Sequence, residues 1–264
     1  MKYRLVALDM DGTLLNDQYE ISPRTAAAIA RAVSRGVLVT LATGRTFRSA
    51  YFYAKDLGLN LPLIAYNGGL IKEVFSGEIH LNRPIYLPTA RALVDFLQGR
   101  GHYLKVYIDD KLFVAKETEE TVAFASRHRI MYEAVGDLKP FLTKEPSMMV
   151  VVEAEETVNA LKDWLDRDWH NKISSFKSNP RSLDIVHPEA SKAEALRFLA
   201  RKFRVRSEEV LAIGNEMNDL EMIGWSGLGV AMGNASSFVL GRADYVTADN
   251  NHDGVAEVLE RFVL

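Results

Sequence analysis

The sequence predicts an α/β protein whose doubly wound parallel sheet carries an inserted α+β module. Short apolar runs alternate with helical patterns up to about residue 82, and the same alternation returns after residue 188. The intervening segment changes to helices followed by hairpins. Strands that are apolar on both faces and separated by helices are typical of parallel sheets covered on both sides, with right-handed crossovers.

The N-terminal block begins with a short apolar run, Leu5 to Leu8, whose length suits a buried strand. Ser22 and Pro23 then form a helix start signal, because serine is a good N-cap and proline suits the first helical position, and Gly36 marks the end. The remaining elements predicted in this block are a strand at Val37 to Ala42, a helix at Thr46 to Leu57, and a strand at Leu61 to Tyr66 that is closed by Asn67-Gly68-Gly69.

The C-terminal block follows the same pattern, so both blocks are expected to form one Rossmann-like domain. Its predicted elements are a helix at Ser191 to Phe203, strands at Val210 to Ile213, Leu228 to Met232 and Tyr245 to Thr247, and a final helix that reaches Leu264.

The middle of the chain contains two units of a helix followed by a hairpin, which is typical of an antiparallel α+β module. The first unit is a helix at Pro88 to Gln98 with a hairpin at Leu104 to Ala115, and the second is a helix at Glu155 to Asp166 with a hairpin at Lys172 to His187. We therefore predict a catalytic core of residues 1–82 and 188–264, and a cap domain of residues 83–187.

Composition narrows the class of function. The chain of 264 residues has 48% apolar and 25% charged residues, a formal net charge of -3 and no cysteine. The absence of cysteine excludes disulfides and thiol chemistry. The negative net charge provides no overall positive field of the kind that attracts nucleic acid. No apolar run approaches the roughly 20 residues of a membrane span, and the N-terminal run is too short for a signal peptide. We expect a cytoplasmic protein, monomer or homodimer, that acts on a small molecule.

Two carboxylates follow the first predicted strand, in Asp9-Met10-Asp11-Gly12-Thr13. Ligands of open parallel sheets gather at the carboxyl ends of the strands, and side chains at i and i+2 can face one cavity there. Such a pair can supply a nucleophile and an acid/base partner. Taken alone, the pair is equally compatible with a solvated turn.

Three further chain segments bring suitable groups to the same edge of the sheet. Thr43 and Gly44 follow the second strand and suit a phosphate cradle, although an ordinary helix cap is the simpler interpretation of them alone. Lys192 begins the first helix of the C-terminal block and could neutralise phosphate charge, or be a surface lysine. The strand that ends at Ile213 runs into Gly214-Asn215-Glu216-Met217-Asn218-Asp219. The coincidence of four such segments favours a phosphate-transfer site.

These four segments resemble the four motifs of the haloacid dehalogenase superfamily: Asp-Met-Asp-Gly-Thr, Ala-Thr-Gly-Arg, Ser-Lys and Gly-Asn-x-x-Asn-Asp. The subgroup with a large α/β cap between the second and third motifs, called the Cof type or subclass IIB, is the most similar. The resemblance covers nearly the whole chain, including Tyr66-Asn67-Gly68-Gly69 and Leu183-Asp184-Ile185. It implies a magnesium-dependent phosphatase of small phosphate monoesters, such as sugar phosphates or phosphorylated cofactors.

The resemblance also implies roles for single residues. Asp9 would attack phosphorus to form an aspartyl-phosphate, and Asp11 would protonate the leaving alcohol and then activate water. The phosphate would be held by the backbone amide of Met10 and by Thr43, Gly44, Lys192 and Asn218. The Mg²⁺ ligands would be the Asp9 side chain, the Asp11 carbonyl and Asn215. Asp219 would either move inward to bind the ion or compensate for the missing charge without contacting it.

One position departs from the common family pattern, which has aspartate where this chain has Asn215. An amide oxygen still ligates magnesium, but the site loses one negative charge. We therefore predict activity with an elevated magnesium requirement.

Two other functions stay open from the sequence. A phosphomutase shares the aspartyl-phosphate chemistry but transfers the phosphate to another hydroxyl, and a phospholigand-binding module that has lost turnover would be consistent with Asn215. For specificity, Lys105, Tyr107 and Asp109 share one side of an alternating strand and either face the core or face solvent.

Overall fold

The protein is described here by a computed structural model covering residues 2–59 and 61–264. The first part of the chain forms β1 (Leu5–Leu8), α1 (Pro23–Ser34), β2 (Leu38–Leu41), α2 (Phe47–Asp56), β3 (Leu63–Ala65), β4 (Leu70–Lys72) and β5 (Ile79–Asn82). The middle part forms α3 (Leu87–Gln98), β6 (Tyr103–Ile108), β7 (Lys111–Val114), α4 (Glu119–His128), β8 (Met131–Ala134), α5 (Leu138–Phe141), β9 (Met148–Val152), α6 (Glu155–Asp168), β10 (Ser174–Asn179) and β11 (Ser182–Val186). The last part forms α7 (Lys192–Lys202), β12 (Val210–Gly214), α8 (Leu220–Trp225), β13 (Leu228–Ala231), α9 (Ser237–Leu240), β14 (Tyr245–Val246) and α10 (Gly254–Phe262).

The core is a parallel sheet of five strands in the order β14-β13-β12-β1-β2. β1 lies between β12 and β2, with Leu8 in register with Ile213 on one side and Leu41 on the other. The carboxyl ends of these three strands are therefore adjacent, which brings their following loops together. The strand expected at Leu61 to Tyr66 differs in part, because β3 meets β2 only through one parallel bridge and otherwise pairs antiparallel with β4.

Alternate residues of the core strands face opposite layers, as two-sided burial requires. Val6 and Leu8 pack in one cluster with residues of α1 and α10, whereas Leu5 and Ala7 pack in another with residues of α7. Helix α1 begins as the sequence predicts, since Ser22 caps it by accepting a hydrogen bond from the Thr25 backbone N–H.

The cap sheet has six strands in the order β10-β11-β9-β6-β7-β8. Its pairs are antiparallel except for β7 and β8, which are parallel. One face of this sheet, which includes Leu104 and Val106, packs with residues of α3 and α6 in a separate hydrophobic cluster. The opposite face carries Lys105, Tyr107 and Val150 and lines a cavity against the core.

The predicted fold class, a parallel α/β core with an added cap, is confirmed. The cap strands lie between Tyr103 and Val186, inside the segment 83–187, while the domain limits themselves stay predictions. Within residues 2–59 and 61–264, no helix has both the length and the apolar character needed to cross a membrane.

Candidate active site

The candidate site lies where the loops after β1, β2 and β12 meet beneath the cap. A cavity of about 440 Å³ opens there between the core and the cap sheet. Of the residues predicted for the site, those that line this cavity are Asp9, Asp11, Thr43, Gly44, Lys192 and Asn218. Met10, Asn215 and Asp219 lie behind this lining and are buried.

Asp9 is the buried carboxylate at the end of β1, with 5% of its surface exposed. The Lys192 ammonium donates to Asp9 Oδ1 at 2.6 Å and to Asp219 Oδ1 at 2.7 Å. Burial raises the pKa of Asp9 above its ordinary value and Asp219 adds to the effect, whereas Lys192 opposes it. One buried lysine therefore holds two buried carboxylates together.

Lys192 begins helix α7 and is itself almost fully buried. Burial disfavours its charge, but the carboxylates of Asp219 and Asp9 outweigh this effect and hold the pKa of the ammonium above its ordinary value. Because removing either carboxylate would leave a buried charge less well compensated, the three groups form one electrostatic unit.

Asp219 supports the loop that follows β12. Its Oδ2 accepts hydrogen bonds from the backbone N–H groups of Asn215 and Glu216, both at 3.0 Å, while its Oδ1 accepts from Lys192. Both carboxylate oxygens are thus already engaged and the side chain is completely buried. This arrangement favours support from behind over direct contact with a ligand.

The side-chain amide of Asn215 points at a group of oxygen atoms. One of its terminal atoms lies 3.1 Å from Thr13 Oγ1, 3.2 Å from Asp9 Oδ2 and 3.1 Å from the Asp11 carbonyl oxygen. If the nitrogen of the amide occupies this position, it donates hydrogen bonds to these acceptors. If the oxygen occupies it, only oxygen atoms meet there, and their negative partial charges require a cation or a hydroxyl proton between them. Gly12 permits this close approach, since its φ is +73° and an added Cβ would lie 2.5 Å from the amide.

Asp11 is held by Arg45, a residue to which the sequence alone gave no separate role. Arg45 donates from Nε at 2.8 Å and from Nη2 at 2.5 Å to the two oxygens of Asp11, whose side chain is 49% exposed. Desolvation by the surrounding protein would raise the pKa of Asp11, but Arg45 outweighs it and holds this pKa below its ordinary value. Arg45 follows Gly44 in the Ala-Thr-Gly-Arg segment, and this position is the one feature of the sequence that places Arg45 near the site.

Four of the residues predicted to hold phosphate line the same cavity as Asp9: Thr43, Gly44, Lys192 and Asn218. Thr43 Oγ1 accepts from the Arg45 backbone N–H at 3.0 Å, which leaves the hydroxyl proton free to be donated. Within the described ranges, the Met10 backbone N–H forms no hydrogen bond with another backbone group. The amide of Asn218 donates to Asn67 Oδ1 at 2.9 Å, so one of its two N–H bonds is already used.

Asn67 links the core to the cap, which the sequence did not predict. Its amide accepts from Asn218 and donates at 2.9 Å to Asp184 of β11, and Asp184 also accepts from Ser178 at 2.8 Å. Burial raises the pKa of Asp184 to about 6. The contact joins residues that are 117 positions apart in sequence, so no local pattern could reveal it.

Of the three cap residues considered for specificity, Lys105 and Tyr107 line the cavity, and the alternative that they face solvent is wrong. Asp109 does not line it; it lies beyond the end of β6 and pairs with Lys144. The strand ends at Ile108, and Asp109 and Asp110 both have positive φ in the following turn. The alternation of side chains therefore stops before Asp109.

The oxygen atoms that a metal ion could meet at this site come from one carboxylate, one backbone carbonyl and one side-chain amide. In the part of the chain that the structure describes, no group of three or more histidine, cysteine, aspartate or glutamate residues is placed to hold a metal ion. The Asp9 carboxylate, the Asp11 carbonyl and the Asn215 amide are instead the oxygen-bearing groups that converge. Such ligands suit a hard cation such as Mg²⁺.

Fold and site together define a cap-covered α/β hydrolase with a buried carboxylate at the end of its first strand. The chain belongs to the haloacid dehalogenase-like hydrolase family, whose sequence description matches residues 6–259.

Individual relatives agree with this assignment. The 5-amino-6-(5-phospho-D-ribitylamino)uracil phosphatase YitU of Bacillus subtilis is 32% identical, over 98% of this chain and 97% of the relative. A haloacid dehalogenase-like hydrolase from Bacteroides thetaiotaomicron is 30% identical, with a TM-score of 0.89 over 98% of this chain and 99% of that one. The subclass IIB sugar phosphatase BT4131 shares the fold, with 22% identity and a TM-score of 0.83 over 98% of both chains. The predicted family and the assignment as a phosphatase are confirmed.

Proposed function

We propose that this phosphatase hydrolyses small phosphate monoesters with Mg²⁺ through an aspartyl-phosphate on Asp9. The observation that carries the proposal is the position of Asp9, buried at the end of β1 and ion-paired with Lys192, directly beneath a cavity bordered by Asp11. A carboxylate nucleophile must be fixed in position and must have its charge offset before a phosphate dianion can approach it.

In the first step, an oxygen of Asp9 forms a bond to phosphorus and the bond from phosphorus to the ester oxygen breaks. The leaving alkoxide takes a proton from Asp11 and departs as the alcohol. In the second step, Asp11 accepts a proton from water, whose oxygen attacks phosphorus and releases inorganic phosphate. Asp9 is then a carboxylate again and Asp11 is protonated again, so the cycle closes.

Arg45 supports the second step, because it holds Asp11 as a carboxylate through two hydrogen bonds. The half-exposed side chain of Asp11 must turn from Arg45 toward the ester oxygen to act as an acid in the first step. Lys192 supplies fixed positive charge throughout. We propose that Thr43 and the backbone N–H of Met10 donate to the phosphoryl oxygens, whose charge is spread in the transition state.

The residues present fit a magnesium ion. The amide of Asn215 faces Asp9 Oδ2 and the Asp11 carbonyl oxygen at 3.2 Å and 3.1 Å, and rotating this amide replaces a donor by an acceptor. Asp9, Asp11 and Asn215 would hold the ion, while Asp219 acts from behind the loop. When bound, Mg²⁺ supplies Lewis-acid charge that offsets the repulsion between Asp9 and the phosphate.

The substrate class that we propose is a sugar phosphate or a phosphorylated cofactor, and it is supported by the relative YitU, which is named a phosphatase of 5-amino-6-(5-phospho-D-ribitylamino)uracil. The cavity of about 440 Å³ is large enough for a molecule of that kind.

The test is release of inorganic phosphate from a panel of such esters, with Mg²⁺ and with a chelator, by the wild type and by Asp9→Asn. The proposal predicts release that requires Mg²⁺ and is lost in the variant. Transfer of the phosphate to a second hydroxyl without release would indicate a phosphomutase. Tight binding of esters without turnover at high Mg²⁺ would indicate a binding module.

A further inference from the structure

The roof of the cavity contains a buried lysine, Lys105. Lys105 lies on β6 with 3% of its surface exposed, and it lines the same cavity as Asp9 and Asp11. Within residues 2–59 and 61–264, its ammonium makes no hydrogen bond and no ion pair. Its near neighbour is the ring of Phe124, whose centroid lies 3.7 Å from Nζ.

A largely buried ammonium without an ion-pair partner is costly to the fold, because the charge loses part of its hydration and a cation–π contact restores only some of that loss. Burial lowers the pKa of Lys105 to about 8, while Glu120 and Asp184 act against this shift from a distance. The group is therefore still mostly protonated at neutral pH. A methionine would fill the same space without this cost, which points to a ligand rather than to packing.

The surroundings of Lys105 indicate what this ligand is. Phe124 and His128 stack on each other with ring centroids 4.1 Å apart, and the two rings form an aromatic wall of the cavity next to the ammonium. Burial lowers the pKa of His128 to about 3, so this wall is uncharged at neutral pH. The other cations on the cap side of the cavity, Arg127 and Arg181, are exposed. A planar leaving group can pack against this aromatic wall from the cavity side and place an oxygen acceptor within reach of the buried donor.

We propose that Lys105 is a specificity-determining residue that donates a hydrogen bond to an sp² oxygen on the leaving group. The enzyme would then prefer phosphate monoesters whose leaving group carries a carboxylate or a ring carbonyl over esters of simple polyols. This inference rests on the proposed function, because it assigns the cap side of the cavity to the alcohol that departs when Asp9 takes the phosphate.

The experiment compares kcat/KM for two matched pairs of esters. Glycerate 3-phosphate differs from glycerol 3-phosphate by a carboxylate, and uridine 5'-monophosphate differs from ribose 5-phosphate by a ring with carbonyl groups. Lys105→Met should lower kcat/KM by about 10- to 100-fold for the acceptor-bearing member of at least one pair, as expected for a lost hydrogen bond from a charged donor. The pair that responds identifies the acceptor as a carboxylate or as a ring carbonyl.

The matched control is Lys116→Met, which removes an exposed lysine of the same module and should leave both pairs unchanged. Lys105→Met should melt no lower than the wild type, since methionine fills the space and removes the buried charge. An equal loss for both members of each pair would overturn the proposal, because Lys105 would then act on the phosphate common to all. Unchanged kcat/KM in Lys105→Met would overturn it as well.

Binding separates this inference from the proposed function. The same four esters would be titrated calorimetrically into the Asp9→Asn variant and into the Asp9→Asn, Lys105→Met double variant. Because neither protein is expected to turn the ester over, the titration measures binding alone. If the wild type releases no phosphate but Lys105→Met still weakens binding of one acceptor-bearing ester selectively, the proposed function fails and the specificity assignment stands. If turnover occurs without any selectivity at Lys105, the specificity assignment fails alone.

Discussion

Replacing Asn215 by aspartate should lower the magnesium concentration that the enzyme needs. In the wild type, the amide lies 3.2 Å from Asp9 Oδ2 and 3.1 Å from the Asp11 carbonyl, and as a donor it satisfies these oxygens without a metal. A carboxylate at this position cannot donate. Without a cation, the variant therefore places a second negative charge against Asp9, and a cation relieves the repulsion.

The size of the effect follows from this distance. Two unit charges 3.2 Å apart repel by about 5 kcal/mol at an effective dielectric constant of about 20. Lys192 already offsets part of the charge on Asp9, so a fraction of this energy remains to be relieved. About 1.4 to 2.8 kcal/mol corresponds to a 10- to 100-fold gain in metal affinity, since each 1.4 kcal/mol is tenfold.

Two assays check this prediction. The Mg²⁺ concentration for half-maximal phosphate release should fall by about 10- to 100-fold in Asn215→Asp. Thermal unfolding in a chelator should show a less stable variant, and Mg²⁺ should raise its melting temperature more than that of the wild type. Asn171→Asp adds the same charge at an exposed cap position and should change neither quantity. An Asn215→Asp enzyme that needs as much Mg²⁺ as the wild type, or more, would refute the reasoning.

Two further predictions concern the groups around this centre. Arg45→Lys should lower kcat by about 10-fold or more, because lysine cannot make the paired hydrogen bonds that orient Asp11, while Arg48→Lys, at an exposed position, should keep full activity. Burial raises the folded-state pKa of Asp184 to about 6 from 3.8, so its ionisation weakens the fold as pH rises through this interval. Asp184→Asn should therefore be more stable than the wild type by about 1 to 3 kcal/mol at pH 8 and nearly equal to it at pH 4, as measured by urea unfolding.

The core strands could be predicted from the sequence because burial on both faces leaves uninterrupted apolar runs. The run from Leu5 to Leu8 is strand β1 itself, and the hairpins of the cap were found from alternation and their turn residues. Strands β5 and β8 were missed because each has only four residues and little of its surface is buried, although Ile79 and Leu81 of β5 do alternate with polar residues. The pattern of apolar residues reveals a strand only when the strand is buried, and these two strands are largely exposed.

The site could be predicted only where its residues follow a strand or begin a helix. Asp9 and Lys192 meet those conditions, and the structure pairs them. The contacts of Arg45 with Asp11 and of Asn67 with Asp184 join segments that are distant in sequence, and the position of Arg45 after Gly44 does not reveal which residue it contacts. The position of Asp109 was misjudged because a turn with positive φ interrupts the alternation of β6.

The proposed chemistry is tested most directly by trapping the phosphorylated enzyme. A labelled phosphate ester would be mixed with enzyme and Mg²⁺, quenched in acid within the first turnover, and the labelled peptide identified by mass spectrometry. We expect label on the peptide that contains Asp9, sensitive to hydroxylamine as an acyl phosphate is, and none in Asp9→Asn. Release of phosphate by an Asp9→Asn enzyme at the wild-type rate, with no labelled peptide in either protein, would contradict the mechanism.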